Sequence, residues 1–384
     1  MDGTGRWFDH LARSLAKGVR RVSRGGSHRY RRFHYLGAAQ AGIAGAAGWD
    51  GTLLVHPEVP PFLKQLFDDR GRGWSEKDLV EAVSNLGTLI HESFHHLVPR
   101  DANVVRDQWA YGTFVGVALE EGVTEAATQW LLPRVVRRME ASVHGLSRGL
   151  RSRESVYWNY VPAVQELVRG LKALPGMGGH DVLMELARES PATKLEVLTR
   201  LYLEGLGLDR RLSERGRHEC QVRMGKAVRR LYEAPETRAW AEPPDPRYPS
   251  RVNSADPVGR STILGMQVLV ELEWESRMAQ ERDGLPMGEN WRIEMAERAV
   301  EVAREAIRRS ARRPQETRDA AQAWLDQAVE DHALATAPPP AIAETHLGSR
   351  VASRADLWIR SRMRWHRERR RQATPPTVWG RGLG

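Results

Sequence analysis

The chain has 384 residues, 41% of them hydrophobic, and a formal net charge of +9. Thirteen tryptophans and that apolar share exclude a wholly disordered chain, and the length allows more than one domain at roughly 150 residues each. A single cysteine, Cys220, excludes an intrachain disulfide framework and a cysteine-rich zinc site. No run of about 18 apolar residues is present to span a membrane.

Residues 1–35 are basic, with Arg20, Arg21, Arg24, Arg29, Arg31 and Arg32, and read as an amphipathic or flexible N-terminal arm. Asp2, Arg6, Asp9 and His10 stand where the apolar core of a secretory signal would begin. Arg31-Arg32-Phe33 and the run Leu36 to Gly48 resemble a twin-arginine export signal, but the run is mostly Gly and Ala. Cytoplasmic residence is therefore the expectation. Thr52 to His56 reads as a short buried strand, ended by Pro57, Pro60 and Pro61. Residues 36–232 make the main domain, helical from 75 onward. A proline-rich linker is expected over 233–261, a further helical region over 262–336, and a basic tail over 337–384. The helical region shows Trp291, Met295, Ala299 and Val302 at helical spacing.

Ser75 with Asp78 makes a capping-box start for the first helix of the domain. Its apolar stripe runs from Leu79 through Leu86, Ile90 and Phe94 to Leu97, and Pro99 closes it. Inside lies His91-Glu92-Ser93-Phe94-His95, an HExxH pattern. Residues four apart share a helical face at about 5–6 Å, so two imidazoles so placed suit one Zn²⁺. Glu92 flanks the same face, where it can accept a proton from water at the metal. His96 turns away from that face.

A catalytic zinc needs a third protein ligand. A second helix is expected over Val117 to Trp130, closed by Pro133, and it carries Glu120, Glu121 and Glu125. Glu121 and Glu125 are one turn apart, so one can bind metal while the other accepts a hydrogen bond from a ligand histidine. With Leu119, Val123 and Ala127 around them, such carboxylates are costly to bury unless paired or metal-bound. His180 reads as a loop histidine, and His218-Glu219-Cys220 lacks a second histidine in register.

HExxH followed by Glu-Gly-x-Thr-Glu resembles the gluzincin branch of the zincin metallopeptidases, over roughly residues 50–170. The resemblance implies that His91, His95 and Glu121 are zinc ligands and Glu92 the general base. Tyr157-Trp-Asn-Tyr160 is similar to a tyrosine-bearing segment that follows the motif in small bacterial and phage-encoded members. A tyrosine there, Tyr160 with Tyr157 competing, would stabilise the oxyanion. The implied fold is mainly α (α+β): a zincin-like helical core with a small β-sheet, followed by a helical C-terminal region. The implied activity is zinc-dependent hydrolysis of a protein or peptide substrate. Two alternatives remain beside it: a catalytically inactive zincin scaffold, and a nucleic-acid-associated phage or mobile-element protein. In the second, the arginine-rich termini bind nucleic acid non-specifically.

Overall fold

A computed structural model of the chain describes residues 2–24, 27–36, 44–69, 72–99, 102–152, 159–176, 178–233 and 256–337. The chain divides into two units, Met1–Pro286 and Met287–Gly384. The fold is mainly α, with one three-stranded sheet.

Helix α1 (Gly3–Val22) opens the first unit. Asp2 caps it, accepting a hydrogen bond from the Gly5 amide at 2.7 Å. Phe8, Ala12, Leu15 and Val19 recur at helical spacing and are buried in the core of the unit. The basic N-terminal segment is therefore not a flexible arm through residue 22, because burial of this stripe holds it against the domain. Four strands follow: β1 (Ser27–His28), β2 (Arg32–Tyr35), β3 (Gly45–Ala47) and β4 (Thr52–Val55). β4 lies at the centre of the sheet, parallel to β2 and antiparallel to β3, with Leu53 facing both Phe33 and Ala47. The expected strand at 52–56 is β4. β3 comes from the Gly/Ala run, whose residues 37–43 lie outside the described residues.

Helices α2 (Val59–Asp68) and α3 (Glu76–His95) come next. Ser75 and Asp78 form the expected capping box: Ser75 Oγ accepts from the Asp78 amide at 3.2 Å, and Asp78 accepts from the Ser75 amide at 3.1 Å. Leu79, Val83, Leu86 and Ile90 are fully buried. The helix ends earlier than its apolar stripe suggests. Leu97 belongs to strand β5 (Leu97–Val98), which pairs antiparallel with β1.

A short helix, α4 (Val104–Tyr111), leads into α5 (Phe114–Met139). Thr113 caps α5, accepting from the Gly116 amide at 3.0 Å. Pro133 does not close α5, which continues for six more residues. An interior proline costs about 3 kcal/mol, but Leu131, Leu132 and Val136 around it are buried, and that burial carries the helix on.

A 3-10 segment (Leu146–Ser152) packs on α3, and four helices complete the wall around α5: α6 (Val161–Lys172), α7 (Gly179–Ala187), α8 (Lys194–Gly205) and α9 (Glu214–Tyr232). Residues 234–255, most of the proline-rich segment, lie outside the described residues. Helix α10 (Pro257–Arg282) belongs to the first unit, packed on α6 and α9. The expected helical region is thus divided, and the boundary falls after Pro286 rather than at the proline-rich segment. Ser261 explains part of this: its Oγ accepts the Ala163 amide at 3.0 Å, so α10 caps the start of α6.

The second unit holds α11 (Trp291–Ser310) and α12 (Gln315–Thr336), which pack together through Val300, Ala303 and Ala328. The basic tail beyond residue 337 lies outside the described residues. Among the described residues, no helix is long and apolar enough to cross a membrane.

Candidate metal centre

Helices α3 and α5 pack together and bring His91, His95 and Glu121 to one point. His91 Nε2 is 3.0 Å from Glu121 Oε2, His95 Nε2 is 3.4 Å from the same oxygen, and the two Nε2 atoms are 3.1 Å apart. A tetrahedral ion with bonds of about 2.0–2.1 Å separates its ligand atoms by about 3.3 Å. The triangle thus has the size such an ion requires. Among the described residues this is the one group of three such side chains whose donors converge.

The far side of each imidazole is held by a carboxylate. His91 Nδ1 lies 3.1 Å from Glu125 Oε2, and His95 Nδ1 lies 2.9 Å from Glu120 Oε1. These carboxylates accept the Nδ1 protons, which leaves both Nε2 lone pairs facing each other and Glu121. Three lone pairs meeting in a buried space repel unless positive charge sits between them. Without an ion, that charge comes from protons. Burial opposes protonation of His91, yet Glu121 and Glu125 outweigh it and push the imidazole up to about 9. His95 behaves alike: burial opposes, Glu121 and Glu120 prevail, and its affinity for a proton rises well above the usual histidine range. Burial would raise Glu121, but His95 and His91 hold it well below the ordinary carboxylate range. Two imidazolium protons carry the charge of one divalent cation. The donor set therefore fits a divalent metal ion in place of those protons.

Further groups fix the ligands. Tyr111, the last residue of α4, donates its hydroxyl to Glu121 Oε1 at 2.5 Å, which leaves Oε2 alone to face the histidines. The Trp49 ring stands edge-on to Tyr111 at 5.7 Å. Glu120 Oε2 is 2.9 Å from the buried Lys194 ammonium at the start of α8. Glu120 is buried too, and Lys194 followed by His95 outweighs that burial and keeps it ionised. Gln129 donates to Glu125 at 3.2 Å.

Gly122 has a steric role here. A β-carbon on it would stand 2.9 Å from Val164 Cγ2 and 3.1 Å from Tyr160 Cβ. The glycine after Glu121 is what lets α6 close on α5 behind the ligand.

Glu92 is buried on the other side of the site. Burial raises its carboxyl above the usual range, and His91 and His95 pull it partly back. The Ala47 amide of β3 faces it. Within the hairpin, Gly48 donates to the Thr52 carbonyl and His56 to the Ala44 carbonyl. Even-numbered positions of β3 thus bond inward to β4, and Gly45 and Ala47 turn their amide groups to the outer edge. Gly45 rests on α3, where a β-carbon would stand 2.9 Å from Thr88 Cγ2. The edge of the sheet therefore runs past Glu92.

Of the residues singled out from the sequence, His91, His95, Glu92, Glu121 and Glu125 come together. Tyr160 is buried at the start of α6 against Gly122, and Tyr157 lies outside the described residues. His96 is off the ligand face, its ring against the backbone carbonyls of Gly48 and Thr52. His180 begins α7 and stacks on Trp130 at 4.0 Å. Tyr111 and Lys194 escaped the sequence reading, for no spacing links either to the motif. The role of Glu120 was legible in principle. Adjacent helical residues diverge by about 100°, so one glutamate of the pair faces the donors and the other the outer nitrogen of His95. No family model, curated protein or solved structure matches the chain.

Proposed function

We propose that the chain is a zinc-dependent metallopeptidase of the zincin type, acting on a protein or peptide substrate. The observation that carries this reading is the triangle of His91 Nε2, His95 Nε2 and Glu121 Oε2, with edges of 3.0, 3.1 and 3.4 Å. Two imidazoles and a carboxylate are a donor set that zinc favours, with a fourth position left for water or substrate. A bound zinc would supply Lewis acidity, making water reactive near neutral pH.

The chain's own residues supply the rest. Glu92, whose carboxyl is raised above its ordinary range by burial, takes a proton from the attacking water and returns it to the leaving nitrogen. Glu125 and Glu120 keep the two imidazoles turned inward. The outer edge of β3 offers backbone groups to an extended peptide, which places a scissile bond beside Glu92. Tyr160, packed against Gly122 at the start of α6, is the candidate donor to the developing oxyanion.

The test is the metal content of the purified protein, wild type against His91→Ala, with peptide cleavage measured for wild type and Glu92→Gln. One zinc per wild-type chain, none in His91→Ala, and a metal-loaded but inactive Glu92→Gln are expected. A wild type without stoichiometric zinc removes the reading. A zinc-loaded wild type that cleaves nothing leaves a zincin scaffold without activity.

A further inference from the structure

Helix α1 has two unlike faces. Its apolar positions, including Phe8, Leu15 and Val19, are spent in the core. On the opposite side Arg6, Lys17, Arg20 and Arg21 are exposed. None of the four has an acidic partner among the described residues, whereas Arg13 is paired with Asp9 at 2.7 Å and Arg24 with Asp181 at 3.3 Å. Arg13 also donates to the Arg31 carbonyl at 2.9 Å, which sets the exposed Arg31 beside the helix. Lys17, Arg20 and Arg21 fall within about one turn, where like charges destabilise a helix. The buried face holds α1 together in spite of this repulsion.

We propose that this face docks the phosphate backbone of double-stranded DNA without reading its sequence. A membrane surface is disfavoured, because an interfacial helix needs its apolar face free and that of α1 is occupied. Single strands call for exposed aromatic platforms. The aromatic residues of α1 do not offer one: Phe8 is buried and Trp7 packs on Phe67 at 5.8 Å. The unpaired cations of the helix run from Arg6 to Lys17, Arg20 and Arg21, a span of about 22 Å, close to seven base pairs of duplex. The exposed cations suit phosphate oxygens, contacts that position a protein on duplex without reading its sequence. Duplex RNA modules work by shape and 2′-hydroxyl contacts over about 16 base pairs, roughly twice this span, which favours DNA over RNA. None of these residues belongs to the metal centre, so the two proposals stand or fall separately.

The test uses the full chain and fluorescence anisotropy with short labelled duplexes of two unrelated sequences, titrated across KCl concentrations. Arg20→Gln/Arg21→Gln is compared with wild type. Each phosphate contact contributes about −0.9 to the slope of log K against log salt, so the double variant lowers the slope by about 2. Affinity at low salt falls roughly tenfold or more, equally on both sequences. The thermal midpoint does not fall, since both side chains are exposed and their mutual repulsion is removed. A wild-type slope in the variant overturns the proposal. So does a larger loss on anionic vesicles or on double-stranded RNA than on DNA.

Discussion

The Lys194 ammonium lies 2.9 Å from Glu120 Oε2, with the two side chains only 1% and 4% exposed. A buried charge stays charged only if its partner stays with it. Lys194→Met leaves Glu120 with only the His95 imidazole as an ionisable partner and is expected to destabilise the fold by about 3 kcal/mol, read by urea unfolding. Adding Glu120→Gln to that variant restores most of the loss. A single variant within about 1 kcal/mol of wild type would show that the pair contributes little.

Tyr111 reaches the ligand set through one hydroxyl. Tyr111→Phe keeps the ring beside Trp49 and deletes the hydrogen bond to Glu121 Oε1. Metal affinity should fall about tenfold or more, as for other groups that orient a ligand from behind, with the fold intact. Competition against a chromophoric chelator measures this. An unchanged affinity would mean that Glu121 is held by its helix alone.

Gly122→Ala tests the closeness of α5 and α6. The added methyl meets Val164 and Tyr160 at distances that force one helix to shift. The expected cost is about 1–3 kcal/mol in thermal unfolding, with weaker metal binding because the adjacent Glu121 moves too. A midpoint equal to wild type would show that α6 gives way without strain.

His28 predicts a pH dependence of stability. Burial pushes its imidazole down to about 4, partly offset by the hydrogen bond to the Ser93 carbonyl. The unfolded chain, with an ordinary histidine, binds a proton that the folded chain refuses between about pH 6.5 and 4. Stability from this group is therefore complete above about pH 6.5 and drains away as pH falls toward 4, by on the order of 3 kcal/mol. His96, lowered to about 3 by burial and by the nearby His28 and His95, adds to the same trend. Urea midpoints at pH 7.5 and 4.5 measure the loss, and His28→Gln should flatten it. An equal loss in His28→Gln assigns the effect elsewhere.

Periodicity revealed the first half of α3, where Leu79, Ala82, Val83 and Leu86 are buried at helical spacing, whereas α5 is buried continuously from Ala118 to Thr128 and shows no stripe there. HExxH and the glutamate pair were readable because spacing within one helix fixes which side chains share a face. Their meeting across two helices, and the contributions of Lys194 and Tyr111, depend on packing between distant segments, which no local pattern encodes. Pro133 misled because its local cost is outweighed by the burial of Leu132 and Val136. Residues 3–22 read as amphipathic or flexible, and the regular apolar stripe of α1 decides for the amphipathic helix.

His95 and His96 are consecutive, yet one faces the metal centre and the other leans on the hairpin at Gly48 and Thr52. The candidate metal site and the hairpin are therefore joined here through a single peptide unit, a short and planar link. Loops elsewhere can lengthen without altering that link. An inserted residue between these two histidines could not be absorbed, for it would swing one anchor by about 100° and part the candidate ligands from the strand beside them.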